Sequence, residues 1–198
     1  MKEEILKTAL NQFVHTGIRE MSVQKLVSQL SISTKTFYKY FKNKEELLEE
    51  ALRLHYDLQY IELEKQADEK NPVILFYEIW QQATLKEYNV NNRFFADLNY
   101  YYPALQQKIE RETGDRFWER LKQIIDKGIA EGYFKNEIDP YIVLESIAVL
   151  LNSISRTDQF LKYKTPAEEI FNNSIAILIK GFCTQAGLEV LETKRKND

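Results

Sequence analysis

Proline placement constrains this chain more than any other feature. Its 198 residues hold four prolines, each behind a residue able to open a helix: Asn71-Pro72, Tyr102-Pro103, Asp139-Pro140 and Thr165-Pro166. Proline has no N–H, so it is harmless at the first helical position but costs about 3 kcal/mol in a helix interior. Asn, Asp and Thr side chains accept hydrogen bonds from the unpartnered N–H groups of a first turn. Thr165, with Glu168 three residues on, spells a capping box. Four helix starts are thereby marked, and no alternating strand pattern competes with them. The expected fold class is all-α.

Hydrophobic residues make up 44% of the chain and charged residues 29%, the balance of a globular protein. The longest strictly apolar run, Ile147 to Leu151, is far too short to span a bilayer. The first residues alternate charge with Leu and Ile, unlike a signal peptide. One cysteine, Cys183, cannot form an internal disulfide, and two histidines offer little to a metal. The expectation is a cytoplasmic protein with no metal, no cofactor and no membrane partner.

Charge is unevenly shared. Residues 1–45 carry eight Lys or Arg against four acids, a net of +4, while the remainder carries 19 against 26, a net of −7. A basic head on an acidic body suggests a polyanion at one end. In that head, Ile5, Leu6, Ala9, Leu10, Phe13 and Val14 recur at helical spacing, and Gly17 is a natural stop. Ser22 is suited to cap a short helix burying Val23, Leu26, Val27 and Leu30. Ser33 is suited to cap a second that carries Phe37 and Phe41 inward. Asn43 with Glu46 opens a long helix over Asn43–Lys65, and the chain closes on a loose polar tail, Glu192 to Asp198.

Two short capped helices joined by Leu30-Ser31-Ile32, behind a first helix, describe a helix-turn-helix over about residues 22–41. In such a motif the second helix enters the major groove of double-stranded DNA, and its N-terminal side chains reach base edges. Thr34, Lys35 and Thr36 stand at that start, with Tyr38, Lys39 and Tyr40 between the inward phenylalanines. Lysine donates to guanine O6 and N7, and threonine either hydrogen-bonds or sets its methyl against thymine. Ser22, Lys25, Ser33, Tyr38, Tyr40 and Lys44 suit phosphate oxygens. A solvated basic face on three packed helices is the plainer reading of the same pattern.

The residues Met21-Ser22-Val23, Leu26-Val27, Ile32-Ser33 and above all Thr36-Phe37-Tyr38-Lys39-Tyr40-Phe41-Lys42-Asn43-Lys44-Glu45-Glu46-Leu47 resemble the signature of the TetR/AcrR transcriptional regulators. Gly128-Ile129-Ala130-Glu131-Gly132-Tyr133-Phe134 and Ile138-Asp139-Pro140 are similar to the family's link into its last two helices. The resemblance implies about nine helices in an omega-like homodimer. A helix-turn-helix domain would span residues 1–46, and an effector-binding and dimerisation domain 47–198. By matched position it makes Thr34, Lys35, Thr36 and Lys39 base readers, and Tyr38, Tyr40 and Lys44 phosphate anchors. Three departures bear on the operator sequence. Leu30-Ser31 stands where the family usually has Ala-Gly, Val27 replaces a small alanine, and Lys35 replaces a frequent glycine. If the turn needs a left-handed residue, Ser31 costs roughly 1 kcal/mol more than glycine there.

The body is rich in aromatic residues. Tyr77, Trp80 and Thr84 share one stripe of the helix opened by Pro72, and Phe94 and Leu98 share a face of the next, beside Phe95. With Tyr101 and Trp118 they are candidate walls for a small apolar or aromatic effector of unknown identity. An aromatic stripe at helical spacing serves equally as plain core, and the sequence leaves both open. Ile147, Leu150, Leu151 and Ile154, with Ile175, Leu178 and Phe182, offer two apolar edges for a homodimer through a four-helix bundle. They too could cover the body's own core. The function expected is an operator-binding repressor released by an effector; the alternative is a dimeric DNA-binding interaction protein without one. An enzyme is not expected, because no Gly-rich phosphate loop, His or Cys cluster or nucleophile–base pair is visible.

Overall fold

The computed structural model describes residues 1–67, 70–89, 92–156 and 159–197. They form α1 (Lys2–Thr16), α2 (Val23–Gln29), α3 (Thr34–Tyr38), α4 (Lys44–Ala67), α5 (Pro72–Asn89), α6 (Asn92–Tyr101), α7 (Pro103–Ala130), α8 (Pro140–Arg156), α9 (Ala167–Asn172), α10 (Ile175–Phe182) and α11 (Gln185–Asn197). A single 3-10 turn covers Leu161–Tyr163. The class is all-α, as the prolines require.

The caps explain most boundaries. Gly17 ends α1 at φ 94°, donating its N–H to the Phe13 carbonyl. The Ser22 and Ser33 hydroxyl oxygens accept from the Lys25 and Thr36 N–H groups, at 3.2 and 3.0 Å. Asn43 accepts from Glu46 N–H at 2.8 Å, while the Glu46 carboxylate reaches back to the N–H of Lys42. Asn71 accepts from Val73 N–H, and Asp139 from Tyr141 and Ile142 N–H.

Two C-terminal expectations, the Thr165 cap and the loose tail, need correction. Thr165 forms no capping box: its hydroxyl donates to the Tyr163 carbonyl, and Pro166 holds the cap position of α9. The stretch from Pro166 to Phe182 is two helices, because Ser174 takes a non-helical φ of −135° and ψ of −92°. The tail is also helical rather than loose. Thr184 Oγ accepts from Gly187 N–H, and α11 buries Leu191 with Leu188 and Val190 packed beside it. This break and the tail helix give eleven α-helices among the described residues where about nine were expected.

The chain packs as two compact units, Met1–Tyr60 with Val90–Asp115, and Ile61–Asn89 with Arg116–Asp198. The core of the first unites Ile5, Ala9 and Phe13 of α1, Leu26 and Val27 of α2, Phe37 and Phe41, and Leu47, Leu48, Ala51 and Leu52 of α4. It is completed from far along the chain by Phe94, Phe95 and Leu98 of α6 and Leu105 and Ile109 of α7. Each large apolar side chain buried this way contributes about 1.5–3 kcal/mol. α6 lies on α1, with Asp97 accepting from Arg19 N–H at 2.8 Å and Arg19 donating to the Tyr101 hydroxyl at 2.7 Å. Arg53 of α4 pairs with Glu49 and Glu112, and Lys108 of α7 also reaches Glu49.

The second unit is built around α5, which packs against α8, α9, α10 and α11. Its centre is aromatic: Phe76, Phe134 and Phe182 meet edge to face with ring centroids 5.2–5.9 Å apart. That geometry is favourable beyond the area it buries. Glu78 holds both Lys70 and Lys194, tying the start of α5 to α11.

Candidate nucleic-acid interface

The turn between α2 and α3 sets the direction of α3. After Leu30 the chain takes Ser31 through φ 52°. Ser31 N–H then bonds the Ser28 carbonyl at 3.1 Å, and Ile32 N–H bonds the Val27 carbonyl at 3.0 Å. This pair of bonds around a left-handed residue is a Schellman cap, whose left-handed position glycine usually occupies. Ile32 leans back on the core beside Val27, which fixes the exit angle.

α3 is shorter than the sequence suggests. It runs Thr34–Tyr38 and then tightens, with Tyr40 N–H bonding the Phe37 carbonyl at 3.0 Å, so Lys39 and Tyr40 sit in its last, 3-10-like turn. Phe37 and Phe41 point inward, 5.6 Å apart, and both are buried. Everything between and before them faces out. Thr34, Lys35 and Lys39 are exposed, Thr36 is half-buried, and Tyr38 and Tyr40 keep 57% and 38% of their surface. The structure thus leaves Thr34, Lys35, Lys39 and both tyrosines exposed to solvent, with Thr36 partly covered.

The other expected contacts vary more. The Thr36 hydroxyl pairs with that of Ser33 at 2.9 Å, which fixes its rotamer. Lys25 bends back to the Glu20 carbonyl at 2.8 Å. Lys44, at the start of α4, is half-buried; burial pushes its ammonium pKa down from the usual lysine value, opposed by the Asp97 carboxylate and assisted by Arg19. Asp97 was not among the expected site residues. Its only signal in the sequence was an i,i+4 spacing from Arg93, and that points to a helix-surface pair instead.

Residues 5–51 match the model of the bacterial regulatory proteins of the tetR family. Over those residues the chain is similar to the TetR/AcrR family. Members of that family are DNA-binding transcriptional regulators rather than enzymes. An uncharacterized HTH-type transcriptional regulator of Haemophilus influenzae is 32% identical over 82 residues, 41% of this chain and 42% of that one. The match therefore spans less than half of that relative's length. The HTH-type transcriptional repressor KstR2 of Mycobacterium tuberculosis is 24% identical over 152 residues, 73% of this chain and 74% of the repressor. The fold is similar to that of the transcriptional regulator FadR from Bacillus subtilis in complex with stearoyl-CoA. The TM-score is 0.67 and the identity 21%, covering 92% of this chain and all of that one.

In this chain the expected effector residues do not form one group. Tyr77, Trp80, Thr84 and Trp118 lie in the second unit. There Tyr77 donates its hydroxyl to Asn172, Trp80 and Thr84 are buried, and Trp118 is half-buried against the core. Phe94, Phe95 and Leu98 lie in the core of the first unit, and Tyr101 lies on its surface under Arg19. The expected dimer residues are mostly interior to the lone chain. Ile147, Leu151, Ile154, Ile175 and Phe182 are buried in the second unit, with Leu150 and Leu178 partly covered. Outside them stand Ile142 and Val149 of α8 and Ile177 of α10, each more than half exposed. No described helix is long and apolar enough to cross a membrane.

Proposed function

We propose that the chain is a cytoplasmic homodimeric repressor that holds a palindromic operator through α3 and releases it when the second unit takes up a small apolar effector. The observation that carries this reading is the outward edge of α3, where cations and hydroxyls alternate with two buried phenylalanines. Residues 1–46 are the DNA-reading part and 47–198 the effector and dimer part. Thr34, Lys35, Thr36 and Lys39 take the base edges, while Ser22, Lys25, Ser33, Tyr38, Tyr40 and Lys44 take phosphates. Two heads spaced about 34–36 Å apart address successive major grooves on one side of a duplex.

Dimerisation uses α8 and α10. The exposed Ile142, Val149 and Ile177, with the partly covered Leu150 and Leu178, are the apolar groups left for a second copy. On the effector side we retain Tyr77, Trp80, Thr84 and Trp118. The likeness to a FadR in complex with stearoyl-CoA supports an effector with a large apolar part. Release works by population shift, the effector binding the DNA-incompetent state more tightly. The competing reading, a DNA-binding dimer with no effector, draws on the aromatic packing of Phe76, Phe134 and Phe182. A thermal-shift screen of apolar compounds separates the two.

The DNA contacts are tested by fluorescence anisotropy on selected operators at several salt concentrations. Lys44→Ala should weaken every sequence about equally and reduce the salt slope by about one phosphate's worth. Lys35→Ala should change the order of preferred bases instead. Equal losses on all operators for Lys35→Ala, or an unchanged salt slope for Lys44→Ala, would refute the assigned roles.

A further inference from the structure

We infer that the second unit recognises a carbonyl group, with Trp80 donating its indole N–H to the oxygen of a ketone or ester on an otherwise apolar effector. The inference rests on the effector reading above and names the chemistry that the site selects.

Trp80 lies in the middle of α5 and is only 4% exposed, yet its Nε1 has no hydrogen-bond partner among the described residues. A buried indole N–H normally finds an acceptor, because an unmet one forfeits its hydration without return. Its own neighbourhood supplies none. Phe76 meets the ring edge to face at 6.1 Å, and the buried members of the surrounding core are aliphatic or aromatic apart from Cys183, whose thiol donates to the Ile179 carbonyl at 3.3 Å. Thr84, one turn on, is the buried polar residue of this unit among those described, and its hydroxyl donates to the Trp80 backbone carbonyl at 2.8 Å. Tyr77, one turn back, spends its hydroxyl on Asn172 at 3.2 Å. The site therefore presents one donor in an apolar wall.

That pattern selects the ligand's charge as well as its shape. No charged side chain is among the buried residues described in this unit, so a carboxylate seated here would be desolvated against a single neutral N–H. A carbonyl oxygen is an acceptor that loses far less hydration. An unadorned hydrocarbon against the same ring would leave the donor unmet.

The chain has two tryptophans, so a ¹H–¹⁵N spectrum of the full-length protein shows two indole signals, and Trp118→Phe assigns them. The probes are acetophenone, ethylbenzene and benzoate, which share a ring and differ in the group beside it. Acetophenone should move the Trp80 signal downfield and saturably, and should bind roughly 3- to 10-fold more tightly than ethylbenzene, the advantage of one neutral hydrogen bond. Trp80→Phe should abolish that preference; if this variant fails to fold, the wild-type shift still decides. Equal binding of ketone and hydrocarbon overturns the inference. So do a preference for benzoate, a preference that survives Trp80→Phe, and a Trp80 signal that acetophenone leaves in place. Operator release is followed separately. A Trp80 shift without release would sink the effector reading and leave the carbonyl site standing; release by both neutral probes with no shift would do the reverse.

Discussion

Replacing Ser31 with glycine should stabilise the first unit by about 0.5 kcal/mol, a figure that follows from two opposed backbone effects. Ser31 sits at φ 52° in the cap that ends α2. Holding a residue with a Cβ in the left-handed region costs roughly 1–2 kcal/mol, which glycine avoids. Glycine also has more freedom to lose on folding, worth about 0.5–1 kcal/mol in the other direction. Nothing else enters the balance, because Ser31 is exposed and its hydroxyl bonds no described residue. Thermal unfolding followed by circular dichroism should show a midpoint raised by about 1–4 °C, the upper end if the first unit melts on its own. Ser31→Ala is the control, since it keeps the Cβ and loses only the hydroxyl. A Ser31→Gly protein that melts lower than the parent would refute the argument, and so would an alanine variant that gains as much as glycine.

Three other substitutions read the second unit. A Cβ at Gly187 would stand 2.3 Å from the Tyr133 carbonyl oxygen, a backbone atom that cannot swing aside, whereas one at Gly181 would meet nothing within 4 Å. Gly187→Ala should therefore destabilise by about 1–3 kcal/mol in urea melts, and Gly181→Ala, inside α10, should stabilise by about 0.5–1 kcal/mol. The Glu78 carboxyl is raised by burial, but hydrogen bonds from Lys194 and Lys70 prevail and hold it below its ordinary value of 4.5. A depressed folded pKa means that its stabilising contribution is whole above about pH 4.5 and drains away as the pH falls through the folded value. The stability gap between the parent and Glu78→Gln should narrow on acidification below that point; a constant gap would show that the two lysines do not set its titration.

Local chemistry was the part of this structure that could be read from residues alone. Ser22, Ser33, Asn43, Asn71 and Asp139 each cap the helix that follows them, because a cap is a contract between residues two or three apart. Even the awkward Ser31 was visible, since only the turn's handedness was in question. Thr165 failed because the helix starts one residue later, with Pro166 in the cap position, and the Thr165 hydroxyl donates to the Tyr163 carbonyl instead. What periodicity cannot disclose is the partner of an apolar face. Phe94 and Leu98 carry the spacing of a ligand wall, yet they close a core begun some eighty residues earlier by Ile5 and Phe13. Ile147 and Ile154 look like an edge awaiting a second copy, and in the lone chain they are already covered. Asp97 was passed over for the same reason: its partner is the Arg19 backbone, which no spacing rule connects to it.

The dependence of α1 and α4 on Phe94, Phe95, Leu98, Leu105 and Ile109 limits how this chain can be recombined. A transplant cut after the long helix begins would carry the reading edge intact but expose raw hydrocarbon where those five side chains belong. Exchange of operator specificity between such proteins is therefore safest by swapping the few outward residues of the reading helix, and riskiest by shuffling whole amino-terminal segments.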